Sequence, residues 1–200
     1  MLRIFIAIIF IFNLSGCGYN DIQTYDEQVN ASWSEVLNQY QRRADLIPNL
    51  VASIKGYSSH ERDVLEAVTL ARSQANRASS DLQQTPGDEQ KLQTWQQAQA
   101  QVSRTLGQLT IISERYPELK AQELYQNLMV QLEGSENRIA VARGRYIKAI
   151  EQYNVTIRKF PAVLTAKVMD CTPKKNYLPD DVAAVSKAPT IDFSQNTNAH

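Results

Sequence analysis

Two histidines and two cysteines are the imidazoles and thiols that this chain offers for nucleophilic or metal chemistry. A di-iron helix bundle uses Glu-x-x-His pairs, and the residue three before His60 is Tyr57. His60-Glu61 opens like the helix of a zinc protease, yet Val64 stands where the second histidine must sit. His60 therefore reads as a surface residue near a helix start. No Cys-x-x-Cys-His haem attachment, Gly-rich phosphate loop, Gly-x-Ser-x-Gly elbow or Cys/His nucleophile pair occurs. Carboxylates gathered from distant positions leave a hydrolase open, but no spacing favours a pair. The expectation is a non-enzymatic protein without a cofactor.

The other cysteine chemistry lies at the N-terminus. Arg3 supplies a positive charge, Ile4 to Phe12 is an unbroken apolar run, and Leu14-Ser15-Gly16-Cys17 closes it. That order is the layout of a secretory signal peptide. A cysteine directly after Leu-Ser-Gly resembles the lipobox of bacterial lipoproteins, so Cys17 is the expected lipidation site. A retained transmembrane anchor is the competing reading, but it needs ~20 apolar residues and Asn13 interrupts after nine. Two or three acyl chains on Cys17 would hold the protein stably to a membrane, on its extracytoplasmic side. Gly18 offers no acidic retention signal, so an outer membrane is the expected address if two membranes are present. Cys171 then has no partner within the chain. It is read as a half-buried inert thiol, with a reactive or interchain thiol as alternatives.

Removing residues 1–16 takes away one arginine and leaves 20 basic against 21 acidic residues. Near-neutrality argues against a nucleic-acid partner or a polybasic lipid contact. Residues 21–160 are rich in Ala, Gln, Glu, Leu and Arg with few glycines or prolines, which favours helix. Breaks at Gly56-Tyr57-Ser58-Ser59, Thr85-Pro86-Gly87-Asp88 and Tyr116-Pro117-Glu118 predict four helices, near 21–56, 59–83, 88–115 and 118–160. Pro48 should kink or divide the first near Asp45.

Heptad rows support this. Leu132, Ile139, Tyr146, Tyr153 and Phe160 form one, with the small row Leu128, Ser135, Ala142, Ala149 and Thr156 beside it. In the first segment Trp33, Tyr40, Ile47 and Ile54 form a row, with Ile22, Val29, Val36 and Leu50 on another. Short loops between long amphipathic helices imply an all-α, antiparallel up-down four-helix bundle. The expected organisation is a signal peptide over 1–16, an anchor linker over 17–24 and the bundle over 25–168. A short helix closes the bundle, and a flexible tail covers 169–200, with Tyr177, Leu178, Ile191 and Phe193 as its docking points.

One charged residue breaks an apolar row. Arg43 falls between Val36 and Leu50, and a buried guanidinium needs a carboxylate. If the first and last helices are antiparallel with Ile22 near Phe160, equal rise per residue puts Arg43 opposite position ~139. The expectation is a pair with Glu136, directly or through Asn137. A ligand site at this cluster, or a kink at Pro48 that swings Arg43 to solvent, are the alternatives.

Arg42-Arg43-Ala44-Asp45-Leu46-Ile47-Pro48-Asn49, then Lys55-Gly56-Tyr57, Tyr116-Pro117-Glu118-Leu119-Lys120, Glu136-Asn137-Arg138, Tyr153-Asn154 and Phe160-Pro161 follow in order. Over about Tyr25 to Pro161 this pattern resembles the LemA family of bacterial envelope proteins. The second Tyr-Asn usual in that family reads Tyr146-Ile147 here, and a lipobox stands where relatives more often keep a membrane helix. The resemblance implies a helical bundle and no established enzymatic activity or cofactor. With the anchor, it suggests a lipid-tethered adaptor or scaffold with an envelope protein partner. The alternative is a carrier or sensor holding a small apolar ligand between helices lined by Trp33, Tyr40, Tyr146 and Tyr153.

Overall fold

A computed structural model of the chain describes the backbone of residues 2–55, 61–85 and 88–175, and side chains from Gly18 onward. His60, the Cys17 side chain, His200 and the tail beyond Lys175 lie outside the described residues. Six helices make up the described residues: α1 (Leu2–Lys55), α2 (Arg62–Gln84), α3 (Glu89–Arg115), α4 (Pro117–Lys120), α5 (Glu123–Thr156) and α6 (Ala162–Val168). Among the described residues no strand occurs, and no helix is long and apolar enough to cross a membrane.

The long helices alternate in direction. Trp33 meets Tyr146 and Arg43 meets Glu136, so α1 and α5 run antiparallel. Trp95 donates to Ser79 and Arg115 pairs with Glu61, which sets α3 against α2. Arg72 of α2 reaches the Ala44 carbonyl of α1. Three apolar clusters lie between them. One gathers Ile47, Leu50, Ile54, Leu65, Val68, Val102, Leu109 and Leu132 from α1, α2, α3 and α5. Another closes around fully enclosed Trp95 with Val36, Tyr40, Leu82 and Ile139. The third, beyond the α2–α3 hairpin, joins Ile22, Val29, Ile150, Tyr153, Ala162 and Ala166 of α1, α5 and α6. The heptad rows of α1 and α5 fill these clusters, which is why such long helices hold one face inward.

Several boundaries differ from the sequence reading. Pro48 does not divide α1, which continues through it as one 54-residue helix of about 80 Å. Residues 17–24 are not a linker but part of α1. No helix breaker lies between them and Pro48, and Ile22 is buried against the third cluster. The last long segment starts with a separate turn, α4, because Gln122 is extended (ψ 127) and turns the chain before α5. That turn places Leu119 in the core with no exposed surface. α5 stops at Thr156 rather than Phe160: the Arg158 and Lys159 amides turn to the Val155 and Thr156 carbonyls, three residues back, and the chain leaves the helix there. Phe160 is thereby taken out of the heptad row and left 73% exposed. Beyond α6 the chain does not leave the body at 169: residues 171–175 are tied down, as described below. Asp170 takes a positive φ of 52°, and the Cys171 amide then donates to the Ala166 carbonyl, closing α6.

Candidate functional site

Arg43 is the most enclosed charge among the described residues, with 1% of its surface exposed. The inward row of α1 points it between α3 and α5. Its Nη1 donates to Glu136 Oε1 and Ser103 Oγ, each at 2.8 Å. Its Nη2 donates to Gln99 Oε1 at 2.8 Å and to the Gln99 carbonyl at 3.2 Å. The Tyr40 ring lies 5.0 Å from Cζ, while Nε is buried with no partner. One guanidinium therefore ties three helices together. Glu136 is 42% exposed, so one end of the ion pair reaches water and the other is dry.

Asn137 is exposed and takes no part, so the contact to Glu136 is direct. Gln99 and Ser103 were not anticipated. The signal was present: Trp95, Gln99, Val102 and Leu106 share one face of α3, and Gln99 is the polar break in that row. Every donor direction but Nε is spent on protein groups, which makes this arrangement a lock between helices rather than a binding pocket.

The other motif residues take different places. Arg42, Asp45, Pro48 and Asn49 lie on the exposed face of α1, where Asp45 accepts from Gln41 Nε2 at 2.8 Å. Pro48 has a structural consequence. Having no N–H, it leaves the carbonyl four residues earlier, on Ala44, without its helical donor. Arg72 Nε donates to that carbonyl at 2.7 Å, so α2 supplies the bond that Pro48 cannot. Tyr116 is half-buried, its carbonyl accepts from the Leu119 and Lys120 amides, and Pro117 opens α4 at a position where no amide donor is needed.

Tyr153 and Asn154 do not lie near Arg43. Asn154 holds Lys174 by both sides of its amide: Nδ2 donates to the Lys174 carbonyl and Oδ1 accepts from the Lys174 amide, each at 2.8 Å. Lys174 Nζ pairs with Asp26 at 2.8 Å and sits 5.2 Å above the Tyr153 ring. Lys175 reaches Glu89 at the start of α3. Residues 171–175 thus run as a strap from the α1–α5 pair to the α2–α3 hairpin. Burial, then the neighbouring Cys171, then Asp26 push the Tyr153 hydroxyl up to about 12. Cys171 itself is half-buried and makes no disulfide.

The aromatic residues expected to line a cavity pack on one another instead. Trp33 lies 5.4 Å from Trp95 and 5.0 Å from Tyr146, and Tyr40 lies 4.8 Å from Trp95, centroid to centroid. Burial pushes the Tyr146 hydroxyl up. A groove of about 810 Å³ lies elsewhere, between the end of α1 and α2, lined by Val51, Lys55, Arg62, Leu65 and Leu70. Among the described residues no group of three His, Cys, Asp or Glu side chains comes together as a metal site.

An all-helical chain built on one very long N-terminal helix, locked to its antiparallel partner by a buried arginine, is the class of protein that this fold defines. Within that class the chain belongs to the LemA family, whose model matches residues 32–193. The match extends past Pro161, where the motif resemblance stopped, into the strap and beyond it. The chain is also similar to magnetosome proteins MamQ 1 and MamQ 2 of Paramagnetospirillum magneticum and to MamQ of Magnetospirillum gryphiswaldense. Each is 27% identical over 158 residues, covering 72% of this chain and 58% of the relative. The chain therefore spans a little over half the length of these relatives.

Proposed function

We propose that this LemA-family protein is a membrane-tethered lipoprotein, acylated on Cys17 and displayed on the extracytoplasmic side of an envelope membrane. Its body is an up-down four-helix bundle that acts as a non-enzymatic adaptor or scaffold for another envelope protein. The observation that carries the reading is the continuity of α1 from Cys17 to Lys55. Cys17 belongs to the same helix on which α2, α5 and α6 pack, so tether and body form one unit. About 38 residues separate Cys17 from the far end of α1, some 57 Å of reach from the anchor. Replacing Cys17 with Ala tests the tether: fatty-acid labelling and maturation should both be lost. A variant that still labels and keeps the wild-type mature mass overturns the reading. A native pull-down from detergent-solubilised membranes tests the role. A stable protein partner supports an adaptor, whereas a co-purifying lipid or metabolite moves the assignment to a carrier.

A further inference from the structure

Exposed apolar side chains are not spread evenly over this molecule. Five of the eleven large ones among the described residues, Tyr19, Phe160, Leu164, Val168 and Met169, lie at the end where α1 leaves Cys17. Phe160, Leu164 and Val168 follow at helical spacing and are 73%, 57% and 88% exposed. The opposite face of α6, Ala162 and Ala166, is buried on α1. So α6 is apolar on both faces, and only one face is covered.

Its position is set by the residue after Cys17. A Cβ built on Gly18 would lie 2.7 Å from the Ala162 Cα, so glycine is what lets the start of α6 touch the α1 backbone there. The start of α6 therefore meets α1 at the residue next to Cys17 in sequence. Exposed Arg158, Lys159 and Lys167 surround the same patch, against exposed Asp21 and Asp170. Apolar side chains flanked by cations, next to a lipid-bearing residue, match the chemistry of a bilayer interface.

We propose that the face formed by Tyr19, Phe160 and Leu164 is a membrane-seating surface. It inserts among the headgroups of an anionic phospholipid bilayer and holds the bundle at a fixed angle to the membrane. This rests on the tethered reading above and adds a second, non-covalent contact to it. Of the other exposed apolar residues, Leu70, Ile111, Leu124, Val130 and Val141 lie away from this end, while Val155 stands at it, in the last turn of α5.

The test places the photo-crosslinker benzoylphenylalanine at Phe160 or Leu164 in the full chain, and at Ile111 or Val130 as controls. The proteins are reconstituted in vesicles of phosphatidylethanolamine and phosphatidylglycerol. Because all four sites are exposed, helix content by circular dichroism should be unchanged. After irradiation, mass spectrometry should find phospholipid adducts at 160 and 164 in several-fold excess over 111 and 130. Adducts to a second copy of the chain at 160 or 164 would overturn the proposal in favour of a dimer interface. Equal lipid adducts at all four positions, on a chain that is acylated and vesicle-bound, would overturn it while leaving the tether intact. A chain that neither acylates nor fractionates with vesicles would overturn both.

Discussion

Replacing Arg43 separates two ways in which a buried arginine can hold helices together. If the ion pair with Glu136 dominates, neutralising either partner should cost the same. The geometry favours a different ranking. Glu136 is 42% exposed, so Glu136→Gln keeps a hydrogen bond and loses only a solvent-screened charge, worth about 1 kcal/mol or less. Gln99 is 7% exposed and gives Arg43 two acceptors that water cannot reach. Arg43→Met leaves the Gln99 side-chain oxygen without that donor, at about 1–3 kcal/mol, while the Gln99 carbonyl keeps the Ser103 hydroxyl, and the loss is partly offset because the buried cation is also gone. A net loss of about 1–3 kcal/mol follows for Arg43→Met, and Arg43→Ala adds a cavity to bring it near 2–5 kcal/mol. Gln99→Leu removes the 2.8 Å side-chain acceptor and leaves Nη2 only the residue-99 carbonyl at 3.2 Å, so it should cost about as much as Arg43→Met. Urea unfolding of the detergent-solubilised chain, followed by far-ultraviolet circular dichroism, reads all four midpoints. An equal loss for Glu136→Gln and Arg43→Met would refute the ranking and make the ion pair the principal contact. An unmoved midpoint for Arg43→Ala would show that the side chain is not enclosed at all.

The Pro48 gap gives a second, sign-specific test. Arg72→Met should cost about 1.5–3 kcal/mol in the native chain but under about 1 kcal/mol when Pro48→Ala restores the amide donor to the Ala44 carbonyl; equal costs in both backgrounds would disconnect Arg72 from Pro48. Ala142 is buried in the small row of α5 against the Trp95 cluster, so Ala142→Leu should overpack it by about 1–3 kcal/mol in the same unfolding assay. Tyr153 binds its proton more tightly when folded, so its contribution is present below its ordinary value near 10 and is lost as pH rises towards 12. The stability of Tyr153→Phe should therefore fall less steeply than wild type across that alkaline window, and parallel curves would contradict the assignment.

The fold was legible where a long repeat repeats one message. The α1 and α5 rows recur at nearly heptad spacing over many turns, and once two helices are antiparallel neighbours their equal rise fixes which levels meet. That is why Arg43 could be set against Glu136 from sequence, and the two atoms lie 2.8 Å apart. What could not be read depends on contacts with no local signature. Leu119-Lys120-Ala121-Gln122 contains only helix formers, so nothing marked the turn between α4 and α5. The return of α6 onto Gly18 joins residues 144 apart, and the Asn154 strap depends on where that return leaves Lys174.

The polar breaks in the apolar rows show what a finer reading needs. Arg43 interrupts the α1 row, Gln99 the α3 row and Ser135 the α5 row, and all three are buried. Arg43 and Gln99 find each other across the core, yet Ser135 does not join them. Its hydroxyl donates to the Leu132 carbonyl of its own helix at 2.7 Å. A short hydroxyl can satisfy itself on the preceding turn, whereas a guanidinium has no acceptor of its own and a glutamine amide is long enough to reach another helix. A serine in an apolar row therefore carries little information about its neighbours, because local bonding meets its needs. A long polar side chain in such a row implies a partner on another helix at the same level. By that argument Gln99, rather than Asn137, was the residue to set beside Arg43: it lies on a core face, its amide is long enough to reach another helix, and it offers the acceptors that a buried guanidinium requires.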